Sequence, residues 1–234
     1  MRWFSWSGDK GLFQEYNKEE KKNYSVPLPF NFLVLDSLIT VTGYNEPEKV
    51  GYYSNEVRNI KDKLTVRTKN GIEFEGEYAQ VKEKLGAKGC DYCQSVYIMF
   101  FGPDKKPTLG NIKMKGAALG PWIELQKSNK VMEIGISVKS AKEEKKGKVV
   151  YQVPIFSPIK VSEASNQQAV ELDKELQDYL TAYLLRNQSP TSKIAEVAIP
   201  IDTRPTVKVE ESSADIQMSG SSDKNDLFED DAPF

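Results

Sequence analysis

Aromatic rings interleaved with cations are the side chains here whose types and spacing could do chemistry. Rings stack on unpaired bases, and cations follow a phosphate backbone. Tyr44, Tyr52, Tyr53 and Arg58, then Lys61 and Lys63, lie in a polar, glycine-containing stretch where tyrosine is a poor core residue. Arg67 and Lys69, and again Lys113 and Lys115, alternate with apolar residues, so each pair would project from one face of a strand. Lys139, Lys142, Lys145, Lys146 and Lys148 crowd a further segment. There Glu143 and Glu144 dilute the charge, and lysines at a hairpin tip also serve solubility. Together these residues are the candidate nucleic-acid-binding set.

Other chemistries lack their residues. The chain has no histidine, which removes His-based acid–base catalysis, Ser-His or Cys-His nucleophiles and His-containing metal sites. Its two cysteines, Cys90 and Cys93, form a lone CxxC that supplies half of a zinc site. Structural thiols, an intermolecular or carboxylate-completed metal site, and a redox pair stay open as readings. Residues 115–120, with Gly116 and Gly120, have neither Walker nor Rossmann spacing. Asp36 is the one acid inside a strongly apolar strand pattern, and a single buried acid reads as a structural hydrogen-bonding group. Catalysis, metal and cofactor are therefore not expected. No stretch approaches a membrane span, and the N-terminus has no signal-peptide core, which points to a cytoplasmic protein without membrane contact.

Charge is unevenly spread. Residues 209–234 hold eight acids against Lys224 alone, or −7. The overall −2 therefore leaves residues 1–208 at +5. A mildly basic body with an acidic tail is the asymmetry of a nucleic-acid binder carrying an interaction tail. The final residues, Glu229-Asp230-Asp231-Ala232-Pro233-Phe234, offer an aromatic ring with its α-carboxylate to one partner pocket, behind acids that would steer it.

Through Asp230, Asp231, Pro233 and Phe234 the ending resembles the C-terminal tip of bacterial single-stranded DNA-binding proteins. Ala232 stands where that family usually has a larger apolar residue. The resemblance implies a non-catalytic protein that coats single-stranded DNA and recruits replication, recombination or repair enzymes through the tip. It implies a divergent member, encoded by a phage or mobile element and acting in a bacterial cytoplasm. Homo-oligomerisation stays open. Two other classes remain: an accessory or adaptor with the same tip whose body binds duplex DNA or protein, and a magnesium-dependent hydrolase, which no spaced acidic constellation supports.

The elements that must position these residues read as mainly β. Residues 1–26 form an N-terminal arm, aromatic and charged by turns, that either docks on the body or stacks on bases. The cost of exposing Trp3 and Trp6 favours docking. The body, 27–200, opens with a strand over 30–42 closed by Gly43, then a long loop over 44–61. A hairpin turning at Asn70-Gly71, a short helix at 79–85, a strand at 94–101 and another at 110–115 follow. Pro121 suits the first turn of a helix over 122–128, with Trp122 plugging the core. Two strands at 131–139 and 149–156 flank a hairpin tip at 140–148. A helix over 166–186 is capped by Ser165, with Leu172, Leu176, Leu180 and Leu184 on one face. An extended segment at 194–200 leads to a disordered tail over 201–234. The β-β-β-α-β-β order is that of an OB-fold, a five-stranded barrel.

Overall fold

A computed structural model describes residues 1–188 of the chain, with side chains through Arg186. The tail and its tip residues Asp230, Asp231, Pro233 and Phe234 lie outside the described residues, as does the segment at 194–200. The protein is mainly β, with eleven strands in one open sheet and a C-terminal helix. No described helix is long and apolar enough to cross a membrane.

The strands are β1 (Arg2–Ser7), β2 (Leu12–Asn17), β3 (Lys22–Val26), β4 (Phe30–Asn45), β5 (Val50–Ser54), β6 (Leu64–Thr68), β7 (Gly71–Gly76), β8 (Cys90–Phe101), β9 (Pro107–Met114), β10 (Gly135–Lys146) and β11 (Val149–Ile159). The helices are α1 (Tyr78–Ala87), α2 (Leu119–Ser128) and α3 (Glu163–Gln188). β4 is the spine. One edge pairs with β8 along most of its length; the other pairs with β10 at Phe30–Val138, bridges Val57 at Ile39, and pairs with β5 from Thr42 to Asn45. From β4 the sheet runs through β8 and β9 to β1, β2 and β3 on one side, and through β5 and β6 to β7 on the other.

Residues 1–26 are three strands docked on the sheet. β1 lies parallel to β9, and Phe4 and Phe13 are buried against Phe30 and Phe100. At its far end β1 touches β11, where the Gln152 amide donates to the Gly8 carbonyl at 2.6 Å and the Trp6 indole donates to Gln152 O at 2.8 Å. This first core, on the inner face, also takes Val34, Val96, Ile98, Ile112, Met114 and Ile136. Trp122 fills its base, fully buried, with its indole N–H donating to Gln94 Oε1 at 2.8 Å. A second core joins Val41, Tyr52, Leu64 and Val66 to Val81 and Leu85 of α1. A third, on the opposite face of the sheet, joins Leu38 and Tyr97 to Leu176 and Leu180 of α3.

Several expectations are corrected. The stretch 44–61 is not one loop, because β4 continues through Gly43 to Asn45 and returns as β5. Gly43 does not end the strand; a side chain there would meet the Cys90 backbone at 2.5 Å, so glycine permits the close approach of β4 to β8. β10 and β11 pair almost to their ends, so the tip is only Gly147-Lys148. Pro154 and Pro158 lie within β11, Pro154 facing Ala141 where the β10 register shifts. Ser162, not Ser165, caps α3: its Oγ accepts the Ser165 amide at 3.1 Å.

Candidate nucleic-acid interface

Strand register decides which predicted side chains share a surface. Directly opposed residues project to the same face, and successive residues alternate. On the face opposite the first two cores, Arg67, Tyr53, Thr42 and Asp91 stand in one row across β6, β5, β4 and β8. Tyr44 is on the same face, opposite Gly51, where a side chain would meet only open space. Further along, Leu38, Ser95, Lys113, Ser5 and Gln14 form a row, followed by Asp36, Tyr97, Asn111, Trp3 and Tyr16. The structure therefore brings Tyr44, Tyr53, Arg67 and Lys113 onto one outer face, with Lys115 at the end of β9. It adds Trp3 and Tyr16 from the docked arm.

Other members are elsewhere or engaged. Tyr52 is 3% exposed; it belongs to the second core, stacks on Phe74 and donates to Glu48 Oε2 at 3.1 Å. It is not a stacking platform, because its neighbour Tyr53 takes the outer face and alternation drives Tyr52 inward. Arg58 is spent on structure: Nη1 donates to Asp36 Oδ1 at 3.0 Å and Nη2 to Gln177 Oε1 at 3.2 Å. Asp36 also accepts from the Ser37 amide at 2.7 Å and from Gln177 Nε2 at 3.0 Å, the structural role its sequence context suggested. Lys61 is exposed in the β5–β6 connection, Lys63 pairs with Glu75 at 3.0 Å, and Lys69 sits exposed in the β6–β7 turn.

The β10–β11 lysines form no single track. Lys142 and Lys146 share one side of the ribbon with Val153 and Val149, while Lys145 is on the other with Val150. Lys142 pairs with Glu144 at 3.0 Å; Lys139 and Lys148 are exposed at the bulge and the turn.

The densest polar arrangement lies under α3. Glu56, 6% exposed, accepts from Lys113 Nζ at 2.6 Å and from the Tyr97 hydroxyl at 2.5 Å. Lys113 Nζ also reaches Ser95 Oγ at 3.0 Å, Asn111 Nδ2 donates to that oxygen at 2.7 Å, and the Glu56 amide meets the Tyr183 hydroxyl at 3.4 Å. Burial alone would push the Glu56 carboxyl up, but the Lys113 charge outweighs it and holds the group below its ordinary value. Burial likewise disfavours charged Lys113, and Glu56 reverses this, raising it. Burial pushes the Tyr97 hydroxyl up and the Lys115 ammonium down. Lys113, 30% exposed at its side chain, is thus held in an internal pair. Sequence reasoning found Lys113 but missed Glu56, Ser95, Tyr97 and Asn111. The usable signal was alternation: Cys93, Ser95 and Tyr97 on one face of β8 against Val96, Ile98 and Phe100 on the other.

Cys90 and Cys93 are three residues apart on β8 and therefore face opposite sides of the sheet, both buried and unpaired. Burial pushes Cys90 to about 12 and Cys93 to about 11, the behaviour of packing thiols rather than nucleophiles. Among the described residues no group of three or more Cys, Asp or Glu is placed to hold a metal. Comparison with known protein families, curated proteins and solved structures finds no match to this chain.

Proposed function

We propose that this chain is a non-catalytic single-stranded DNA-binding protein whose tail recruits replication, recombination or repair enzymes. The observation that carries the reading is the outer face on which Tyr44, Tyr53 and Arg67 align, continuing toward Lys113, Lys115, Trp3 and Tyr16. Rings for bases and cations for phosphates on one strand-built surface are what sequence-tolerant single-strand binding needs. The basic body and acidic tail support the same reading.

An OB-like core is part of the proposal. β4, β8, β9, α2, β10 and β11 follow the β-β-β-α-β-β order, and β4 pairs with both β8 and β10. On this reading β1 fills the gap between the third and fifth strands, pairing with β9 from Arg2 to Ser5, while Gly8 just beyond it bonds to β11. The outer face of β8 and β9 then corresponds to the surface on which such barrels take single strands.

The test is a titration of fluorescent oligo-dT against duplex at low and high salt. Single-strand affinity is expected to exceed duplex affinity and to fall by roughly 0.7 log units per log unit of salt for each phosphate contacted. A flat salt response, or tighter binding to duplex, refutes the reading and favours an accessory protein that binds duplex.

A further inference from the structure

The surface beneath α3 is apolar on one side and polar on the other. A helix packed for good on a sheet buries an apolar stripe on an apolar face. Here Leu38 and Tyr97, with Leu35 and Leu109 beside them, meet Leu176, Leu180 and Leu184, but alongside them Ser95, Asn111 and Glu56 are buried and polar. Asn111 Oδ1 finds no hydrogen-bond partner among the described residues, as is also true of Ser137 Oγ on β10. Among the described side chains of α3, only Ala169, Leu176 and Leu180 are buried. The helix also engages one cation here: Gln177 bonds Arg58, while the Tyr183 hydroxyl sits at the amide of Glu56, the partner of Lys113.

The same register row holds a second clue. Tyr97, under α3, aligns through Asn111 with Trp3 and Tyr16, both half-buried, on β1 and β2. The line of rings runs from the middle of the sheet onto the arm, with Lys113, paired to Glu56, one row away and Asp36 at its β4 end. The exposed side of α3 carries Glu163, Glu171, Glu175 and Asp178 against Lys174 and Arg186, a net negative charge that repels phosphates.

We infer that Tyr97, Asn111, Trp3 and Tyr16, with Lys113, form a stacking track for single-stranded DNA that α3 half covers, and that the DNA strand and α3 compete for it. The inference rests on the single-strand reading and adds its regulation. Affinity is set by how readily α3 leaves the sheet, and any partner that holds the helix away strengthens DNA binding.

The test uses the full chain carrying Arg58→Cys and Gln177→Cys, positions whose native side chains meet at 3.2 Å, joined by a short bis-maleimide. The buried Cys90 and Cys93 stay unlabelled. The bridged protein is expected to bind oligo-dT about tenfold or more weakly than the same variant unbridged; equal measurable affinity overturns the inference. In the unmodified chain without DNA, α3 amides are expected to exchange hydrogen faster than those of β8 and β9, through local opening. Exchange of helix and sheet at one common rate overturns the inference whatever the DNA result. If neither form binds oligo-dT, the single-strand reading falls, and the inference with it. That failure is distinct, because the two forms then agree at no affinity rather than at full affinity.

Discussion

Glu56 and Lys113 hold their charges against burial only because each has the other, and this fixes a pH dependence. The Glu56 carboxyl titrates below its ordinary 4.5 in the folded chain, so its contribution is present above 4.5 and lost as pH falls through the lowered value. Lys113 is raised above 10.5, so its contribution is full below 10.5 and lost as pH rises through the raised value. Glu56→Gln should cost about 3 kcal/mol at neutral pH, since it strands a mostly buried ammonium. In urea melts at a series of pH values that cost should shrink as pH falls below 4.5, where wild type loses the same charge. A cost independent of pH would mean that packing, not charge, is at stake. Tyr52 and Tyr53 make a second contrast. Tyr52→Ala empties the second core and should cost about 3 kcal/mol or more of stability. Tyr53→Ala should leave the melting temperature nearly unchanged while weakening oligo-dT binding by about 1–3 kcal/mol. If both variants melt alike, their assignment to opposite faces is wrong. Composition showed that tyrosines and cations cluster near residue 50. Which ring turns inward depends on the β4–β5 register, and that hangs on how a turn at Glu46–Lys49 closes. Lys113 was legible as a strand cation, but its engagement was not, because Glu56 is 57 residues away in sequence.

At the scale of elements, locally encoded features were readable. The 3.6-residue period of α3, the Asn70-Gly71 hairpin, α1, α2 and the alternating strands all follow from neighbours in the chain. The three strands of residues 1–26 did not, because β1 has no value as a strand until β9, over a hundred residues later, lies beside it. The same holds for β5, whose Gly51 and polar flanks read as loop until β4 and β6 enclose it. The arm's packing gives a prediction. Removing residues 1–26 strips β9 of one of its two partner strands and uncovers Phe30 and Phe100. The truncated chain should lose its cooperative thermal transition and expose dye-binding apolar surface. A mobile arm used only for stacking would leave the transition intact.

For the whole molecule, the −7 of residues 209–234 against the +5 of the remainder is a long-range interaction that salt screens. Deleting 229–234 should leave oligo-dT affinity equal or higher, with the gain largest at low salt. The same deletion should abolish capture of a replication or repair enzyme from a host lysate. Phe234→Ala should lose that capture almost as fully, because it removes the ring and no charge, and should leave DNA affinity unchanged. Equal capture by wild type and Phe234→Ala would reduce the tip to a solubilising run.

The parallel seam between β1 and β9 also sets an order on synthesis. Trp3, Phe4, Trp6 and Phe13 leave the ribosome about a hundred residues ahead of Ile112 and Met114, and their places in the sheet exist only once those residues have emerged. At about 5–20 residues per second, that leaves these rings in water for several seconds or more on every nascent chain. Residues 1–26 are thus made well before they can be seated, and until then a growing chain exposes the apolar surface that chaperones hold.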